Sequence, residues 1–258
     1  MKSRALLALL LSLSPLPLVA APPALSCEEG QAVFDADTAR ALQRQEPAEE
    51  DDFSSCKPWP ADPTKTLYAL ASLEPGSADP QDPGSGEYDL DVLVTDSASG
   101  PVLARHRQRK ALMSDAMRLK GITLDTARYQ LAPGRRAFGL RAWQANNSNY
   151  NPGRFELFWL YLQEGRELHP LIAAMEVDSS AIEMMMDCSG DGTEVQRTLQ
   201  VQKTSSKGLA DLAVVTRTTE LKLAGESCEE TREKPVIRRD LLRYDGRAYP
   251  LPRALRIE

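Results

Sequence analysis

The sequence predicts a mainly β protein: an antiparallel sandwich, a flattened barrel or propeller-like meanders, with one short N-terminal helix. Three observations carry this. Beyond Pro63 the apolar residues recur with period two, or in short runs rich in Leu, Val and aromatics, each closed by turn residues. No long helical pattern separates these runs, so consecutive strands are expected to pair antiparallel. Turn chemistry sits between alternating segments at 96–100, at Glu164-Gly165 and at Asp245-Gly246, and residues that tolerate positive φ are what tight hairpin loops require.

The chain opens with Lys2 and Arg4, then an apolar run over 5–13, then Leu18-Val19-Ala20, whose small residues suit signal peptidase. Residues 1–20 therefore read as a cleaved secretory leader. The run is shorter than the roughly 20 residues a spanning helix needs, and Pro15 and Pro17 break it further. No later segment reaches that length, so no transmembrane segment is expected after cleavage. Cys27 follows Ala24-Leu25-Ser26, a poor lipobox, because Ala24 stands where Leu is wanted. The mature chain divides at Pro63 into an acidic N-terminal segment, 21–63, and an antiparallel β domain, 64–258.

Within the first segment, residues 29–45 carry the helical pattern, with Val33, Phe34, Ala41 and Leu42 on one side and Asp35 or Asp37 as cap. Strands are expected over 67–73, 88–95, 102–107, 117–124, 137–143, 155–162 and 209–218, and a loop over 74–86, which carries Pro75, Pro80 and Pro83. The 155–162 strand is apolar at nearly every position, so both of its faces must be covered. Three hairpins are expected: 90–94 with 101–104, 157–162 with 168–172, and 241–244 with 249–251.

Cys27, Cys56, Cys188 and Cys228 form an even set in an exported chain, which implies two disulfides and a periplasmic or secreted location. Four cysteines allow three pairings. The local ones, Cys27–Cys56 and Cys188–Cys228, are the expected choice, each worth about 3–4 kcal/mol in the chain-entropy model. The net charge is −6, and it becomes about −8 when Lys2 and Arg4 leave with the leader, which disfavours nucleic acid as a partner. The acidity concentrates between Glu28 and Asp52, whereas 105–110 and 232–256 lean basic.

Motifs for chemistry are weak. Ser54-Ser55-Cys56-Lys57 matches S-x-x-K, but that motif needs Ser to open a helix, and Pro58 and Pro60 follow at once. No G-x-S-x-G nominates a nucleophile for His106 or His169. His106 reads as a solvated strand end whose arginine neighbours oppose its protonation, and His169 as a surface residue beside Pro170. No C-x-x-C spacing is present, and no cofactor is expected.

Residues 187–192 copy the first half of a calcium loop, with Asp187, Ser189 and Asp191 as candidate ligands and Gly192 in the sixth place. The twelfth position is Thr198 rather than a carboxylate, so a tight turn is the leading expectation. Met184-Met185-Met186 before it reads as gap-filling core. The most unusual composition lies in the loop after the 137–143 strand. Trp143, Gln144, Asn146, Asn147, Asn149 and Tyr150 combine aromatic faces with paired amide donors and acceptors, the chemistry of a carbohydrate or peptide site.

The segment Leu242-Arg243-Tyr244-Asp245-Gly246-Arg247-Ala248-Tyr249-Pro250 is similar to a terminal hairpin of uncharacterised bacterial periplasmic or secreted proteins. That resemblance extends over about the last 120 residues and implies no function. With no acid–base or metal constellation, the chain is expected to be a non-catalytic binding or interaction protein of the cell envelope. Its expected partner is an envelope glycan, peptide or protein. A periplasmic hydrolase with unidentified catalytic residues is the alternative.

Overall fold

The computed structural model describes residues 27–28, 31–32, 53–74, 76–82, 84–98, 101–225 and 228–256. It is built of strands: β1 (Cys27–Glu28), β2 (Gln31–Ala32), β3 (Phe53–Pro58), β4 (Lys65–Leu73), β5 (Gly86–Asp96), β6 (Val102–Ser114), β7 (Arg118–Ala132), β8 (Arg135–Ala145), β9 (Gly153–Glu164), β10 (Glu167–Met184), β11 (Gly190–Ser206), β12 (Leu209–Ala224), β13 (Glu229–Arg232) and β14 (Val236–Leu242). Every expected strand is present and most are longer than expected. The leader lies outside the described residues, as does most of the 29–45 helix; within that span Gln31–Ala32 pairs with β1 as strand. Among the described residues no helix is long and apolar enough to cross a membrane.

Apart from the small β1–β2 pair, all strands join one sheet of 12 that does not close. Pairing is antiparallel throughout except at a single bridge, Glu167 with Arg105, where β10 meets β6. On one side of that bridge run β6, β5, β4 and β3; on the other run β10, β9, β8 and β7. β7 comes back against β3 and β4, where the Leu124 N–H donates to Ser55 Oγ at 3.2 Å, so these eight strands curl into a flattened, open barrel.

β10 then leaves the barrel. Its register against β9 shifts three times, and Ala174, within the second shift between Ile172 and Met175, takes a positive φ of 50°. Such bulges bend and twist a strand. The bend carries the second half of β10 into a further layer with β11, β12, β13 and β14.

Two apolar clusters result, with β9 between them. Leu157, Trp159 and Tyr161 point into the barrel with Leu67, Leu90, Val92, Phe138 and Leu140. Phe158, Leu160 and Leu162 point the other way, into a cluster with Met175, Leu212, Val214, Leu242 and Tyr249. This explains the unbroken apolar run: period two gives two faces, and each face meets a different layer. A smaller cluster of Cys56, Tyr68 and Leu93 lies on the outer side of β3–β5, with Cys27 against it.

Both disulfides join the expected partners, with Cα–Cα distances of 5.5 Å for Cys27–Cys56 and 4.8 Å for Cys188–Cys228. The second sits at the tip of the outer layer, where the side chains of β13 are exposed and few of β11 are buried. A bridge in so solvated a region acts on local opening more than on the whole fold. Replacing Cys188 and Cys228 by serine is therefore expected to speed amide exchange in residues 184–193 and 221–232 by about ten-fold or more. Amides of β9 should keep their protection. Exchange read by mass spectrometry checks this.

Two expectations fail. The 241–244 with 249–251 hairpin does not form, because the Asp245 carboxylate accepts the Arg247 and Ala248 N–H groups at 2.8 Å each and turns the chain toward β10. There the Tyr249 N–H donates to the Leu171 carbonyl, and its buried hydroxyl donates to the Ala210 carbonyl at 2.6 Å. The methionine run is not core either: Met185 and Met186 are 69% and 90% exposed, since the strand ends at Met184 and the next residues form the hairpin tip.

Candidate functional site

The outer face of β7–β9 is where the second layer departs from the barrel, and Trp143 stands there. On β8, Leu140 and Ala142 point inward, so Gly139, Arg141 and Trp143 point outward. Trp143 is opposite Gly121 of β7 and Glu156 of β9. A Cβ on Gly121 would lie 3.0 Å from the indole Nε1, so the missing side chain is what lets the ring settle against the β7 backbone. The ring stays 45% exposed.

With Arg154, Phe155, Glu156 and Asp178, Trp143 lines a cavity of about 320 Å³. Arg154 donates to the Asp178 carboxylate at 2.7 Å. Arg141 donates to Glu156 at 2.6 Å and to Asp125 at 2.9 Å, with its guanidinium 5.3 Å over the Phe158 ring. The Tyr129 hydroxyl also donates to Asp125 at 3.0 Å. Burial pushes the Asp125 carboxyl up, but the Ala127 N–H and Arg141 more than offset it, and the group sits below its ordinary value. Burial and Asp125 together push the Tyr129 phenol well up. Beside one exposed aromatic plane the cavity carries the Arg154–Asp178 pair and Glu156, itself held by Arg141, a surface that offers donors, acceptors and a stacking face together.

The amide-rich loop has a mixed fate. Tyr150 is 54% exposed, and Asn147 and Asn149 also face solvent; Asn147 accepts from Lys120 at 3.3 Å. Asn146 instead builds the loop, accepting the Gly153 N–H at 2.9 Å and donating to the Asn151 carbonyl at 2.7 Å. Gln144 points into the barrel and is buried, donating to the Met113 and Met117 carbonyls at 2.6 and 2.9 Å, which ties the β6–β7 connection to β8. The loop backbone docks on the end of β10, with Met184 N–H on the Tyr150 carbonyl at 2.9 Å. Of the residues singled out by composition, only Trp143 lines the cavity. Arg154, Glu156 and Asp178 were invisible to that reading, since Glu156 and Asp178 become neighbours only through the β9–β10 register.

At the candidate calcium loop the Asp187 carboxylate accepts the Ser189 N–H at 3.0 Å and hydroxyl at 2.6 Å, which lowers its pKa, and the chain turns tightly with Met185 N–H on the Ser189 carbonyl. Asp191 is on β11, opposite Glu183. Among the described residues no three His, Cys, Asp or Glu side chains group closely enough to hold a metal ion. Ser54 and Lys57 lie on strand β3, three residues apart and so on opposite faces, which rules out their cooperation.

The histidines converge more than expected. His106 is half-buried, with its ring 5.7 Å from that of Tyr161. Burial first, and His169 second, lower its pKa, rather than the neighbouring arginines. His169 is the surface residue expected, 3.5 Å from Glu164. No family model matches the chain, and neither a curated protein nor a solved structure does.

Proposed function

We propose that the protein is an exported, non-catalytic binding protein of the cell envelope, and that the ligand surface is the cavity at Trp143. What carries the reading is one observation: a tryptophan settled over a glycine, 45% exposed, beside the Arg154–Asp178 and Arg141–Glu156 ion pairs. Stacking faces and preset hydrogen-bonding groups recognise flat polar ligands at small ordering cost, and an envelope glycan presents that chemistry. Export is supported by the leader-like 1–20 segment and by cysteines paired at disulfide distance. N-terminal sequencing of protein taken from the host is expected to begin near Ala21.

The test is co-sedimentation of the purified protein with cell-wall polysaccharide. Trp143→Ala is expected to weaken retention by about ten-fold or more while leaving the melting temperature within a few degrees, since so exposed a ring adds little to the core. Gly121→Val is expected to do the same by displacing the indole. Equal retention of wild type and both variants would refute the site.

The hydrolase reading has one feature in its favour, two carboxylates, Glu156 and Asp178, lining the same cavity. Each is engaged by an arginine, which favours a recognition role over acid–base work. Turnover of generic glycoside, ester or peptide substrates that disappears in Glu156→Gln or Asp178→Asn would replace the binding reading.

A further inference from the structure

At the opposite end of β8 and β9 a second feature is independent of the Trp143 site. Pro58 ends β3, and a tight turn comes next, with the Trp59 N–H on the Lys65 carbonyl at 2.8 Å and the Asp62 N–H on the Trp59 carbonyl at 3.0 Å. This turn swings the Trp59 ring across the end of the barrel. The side chain is 5% exposed, packs edge-on to Phe138 at 5.6 Å, and carries the Lys65 ammonium 5.5 Å over its face.

The ring's polar atom, however, is buried without a hydrogen-bond partner, and so are Arg136 Nε and Gln163 Oε1. Buried polar groups are almost always satisfied, and an isolated exception in a fold of this size would be ordinary. Here all three residues line one trough of about 280 Å³, together with Lys65 and Arg135. Arg136 donates a terminal N–H to the Ala127 carbonyl at 3.1 Å, and the Gln163 amide nitrogen donates to the Gly165 carbonyl at 3.2 Å. Two N–H donors and one carbonyl acceptor on residues that line the trough are thus buried without a partner.

The charge around it is positive. Lys65, Arg135 and Arg136 line the trough; Asp62 pairs with Lys65 at 3.0 Å and Glu164 with Arg135, so Arg136 carries the excess positive charge. Burial, and then Arg128, hold the Arg136 guanidinium below its ordinary value, a cost that an adjacent anion would relieve.

We infer that this trough is a second binding site, for a small carboxylate bearing an adjacent hydroxyl. The carboxylate oxygens accept from Trp59 Nε1 and Arg136 Nε, and the hydroxyl donates to Gln163 Oε1. The volume admits a small acid and excludes a folded chain. This assignment does not rest on the Trp143 reading, and either can fail alone.

The test uses the three tryptophans of the sequence, whose indole N–H groups give separate cross-peaks in a ¹H–¹⁵N spectrum of the full protein. The Trp59 peak is the one lost in Trp59→Phe. Sodium glycolate is expected to shift it saturably with a millimolar Kd while the Trp159 peak stays in place and reports an intact fold. Acetate, which lacks the hydroxyl, should bind about ten-fold more weakly, and Arg136→Gln should weaken glycolate by about ten-fold or more. No saturable shift up to about 100 mM glycolate, or the same shift with equimolar sodium chloride, would show a trough that holds only water and overturn the assignment. Equal binding of acetate and glycolate would overturn the hydroxyl contact.

Discussion

Gly139→Ala is expected to cost about 3 kcal/mol and to lower the melting temperature by roughly 6–12 °C, the upper range for overpacking in a domain of this size. Gly139 is in the middle of β8, between β7 and β9, and its missing side chain is the space that the Phe158 ring occupies. An added Cβ would stand 2.9 Å from Phe158 Cζ, nearer still to Cε2, and 3.2 Å from Asp125 Cβ. The ring cannot retreat. It is 1% exposed, is tilted against Tyr129 at 5.8 Å, and has the Arg141 guanidinium over it. The control is Gly153→Ala at the start of β9, where the nearest atom would be 3.5 Å away and the cost should stay below about 1 kcal/mol. Urea unfolding followed by tryptophan emission measures both. A Gly139→Ala protein as stable as the wild type would mean that β9 is not enclosed by two layers.

Arg141→Met is expected to cost about 2 kcal/mol at neutral pH, less than the loss of a fully buried ion-pair partner because the arginine side chain keeps 32% of its surface exposed. The substitution leaves Asp125 and Glu156 on the same face without the cation between them. The effect should depend on pH in a definite direction. In the folded protein burial raises the Asp125 carboxyl, and the Ala127 N–H, Arg141 and Tyr129 bring it below its ordinary value. Such a group adds stability above its unfolded pKa of about 3.9, and that stability is lost as pH falls through the folded value. Without Arg141 that contribution shrinks, so wild type and variant should differ most near pH 7 and converge below about pH 3. A gap that is constant from pH 7 to 3 would show that Arg141 acts by packing on Phe158 alone.

How much of the fold was legible in the sequence differs by element. β4, β5 and β8 bury most of their side chains and β9 an unbroken run from Leu157 to Leu162, and their apolar runs announce them. β11 escaped notice because its side chains alternate between partial burial and exposure, and Thr, Gln and Arg fill positions that a barrel strand would give to Leu or Val. Its pairing with β12 over 190–206 and 209–224 is carried by the backbone ladder, which leaves no mark in composition. The Asp245-Gly246 signal did mark a turn, but the path of the chain beyond that turn depends on where Tyr249 finds a burial site, and that is a property of the β10 layer.

The site was half legible for the same reason. Trp143 stood out because an aromatic beside an amide-rich loop is unusual composition, whereas Arg154, Glu156 and Asp178 are ordinary strand charges until the register sets them side by side. Gln144 shows the converse. Its amide suggested a ligand contact, yet one residue of alternation turns it into the barrel, where two backbone carbonyls use it.

The most direct test of the Trp143 site is the same indole spectrum, recorded while soluble oligosaccharides released from cell wall are added. The Trp143 cross-peak is expected to shift saturably while the Trp59 and Trp159 peaks stay in place, and the response to vanish in Gly121→Val although that variant remains folded. A Trp143 peak that does not move, or one that moves equally in Gly121→Val, would contradict the assignment of this surface as the ligand site.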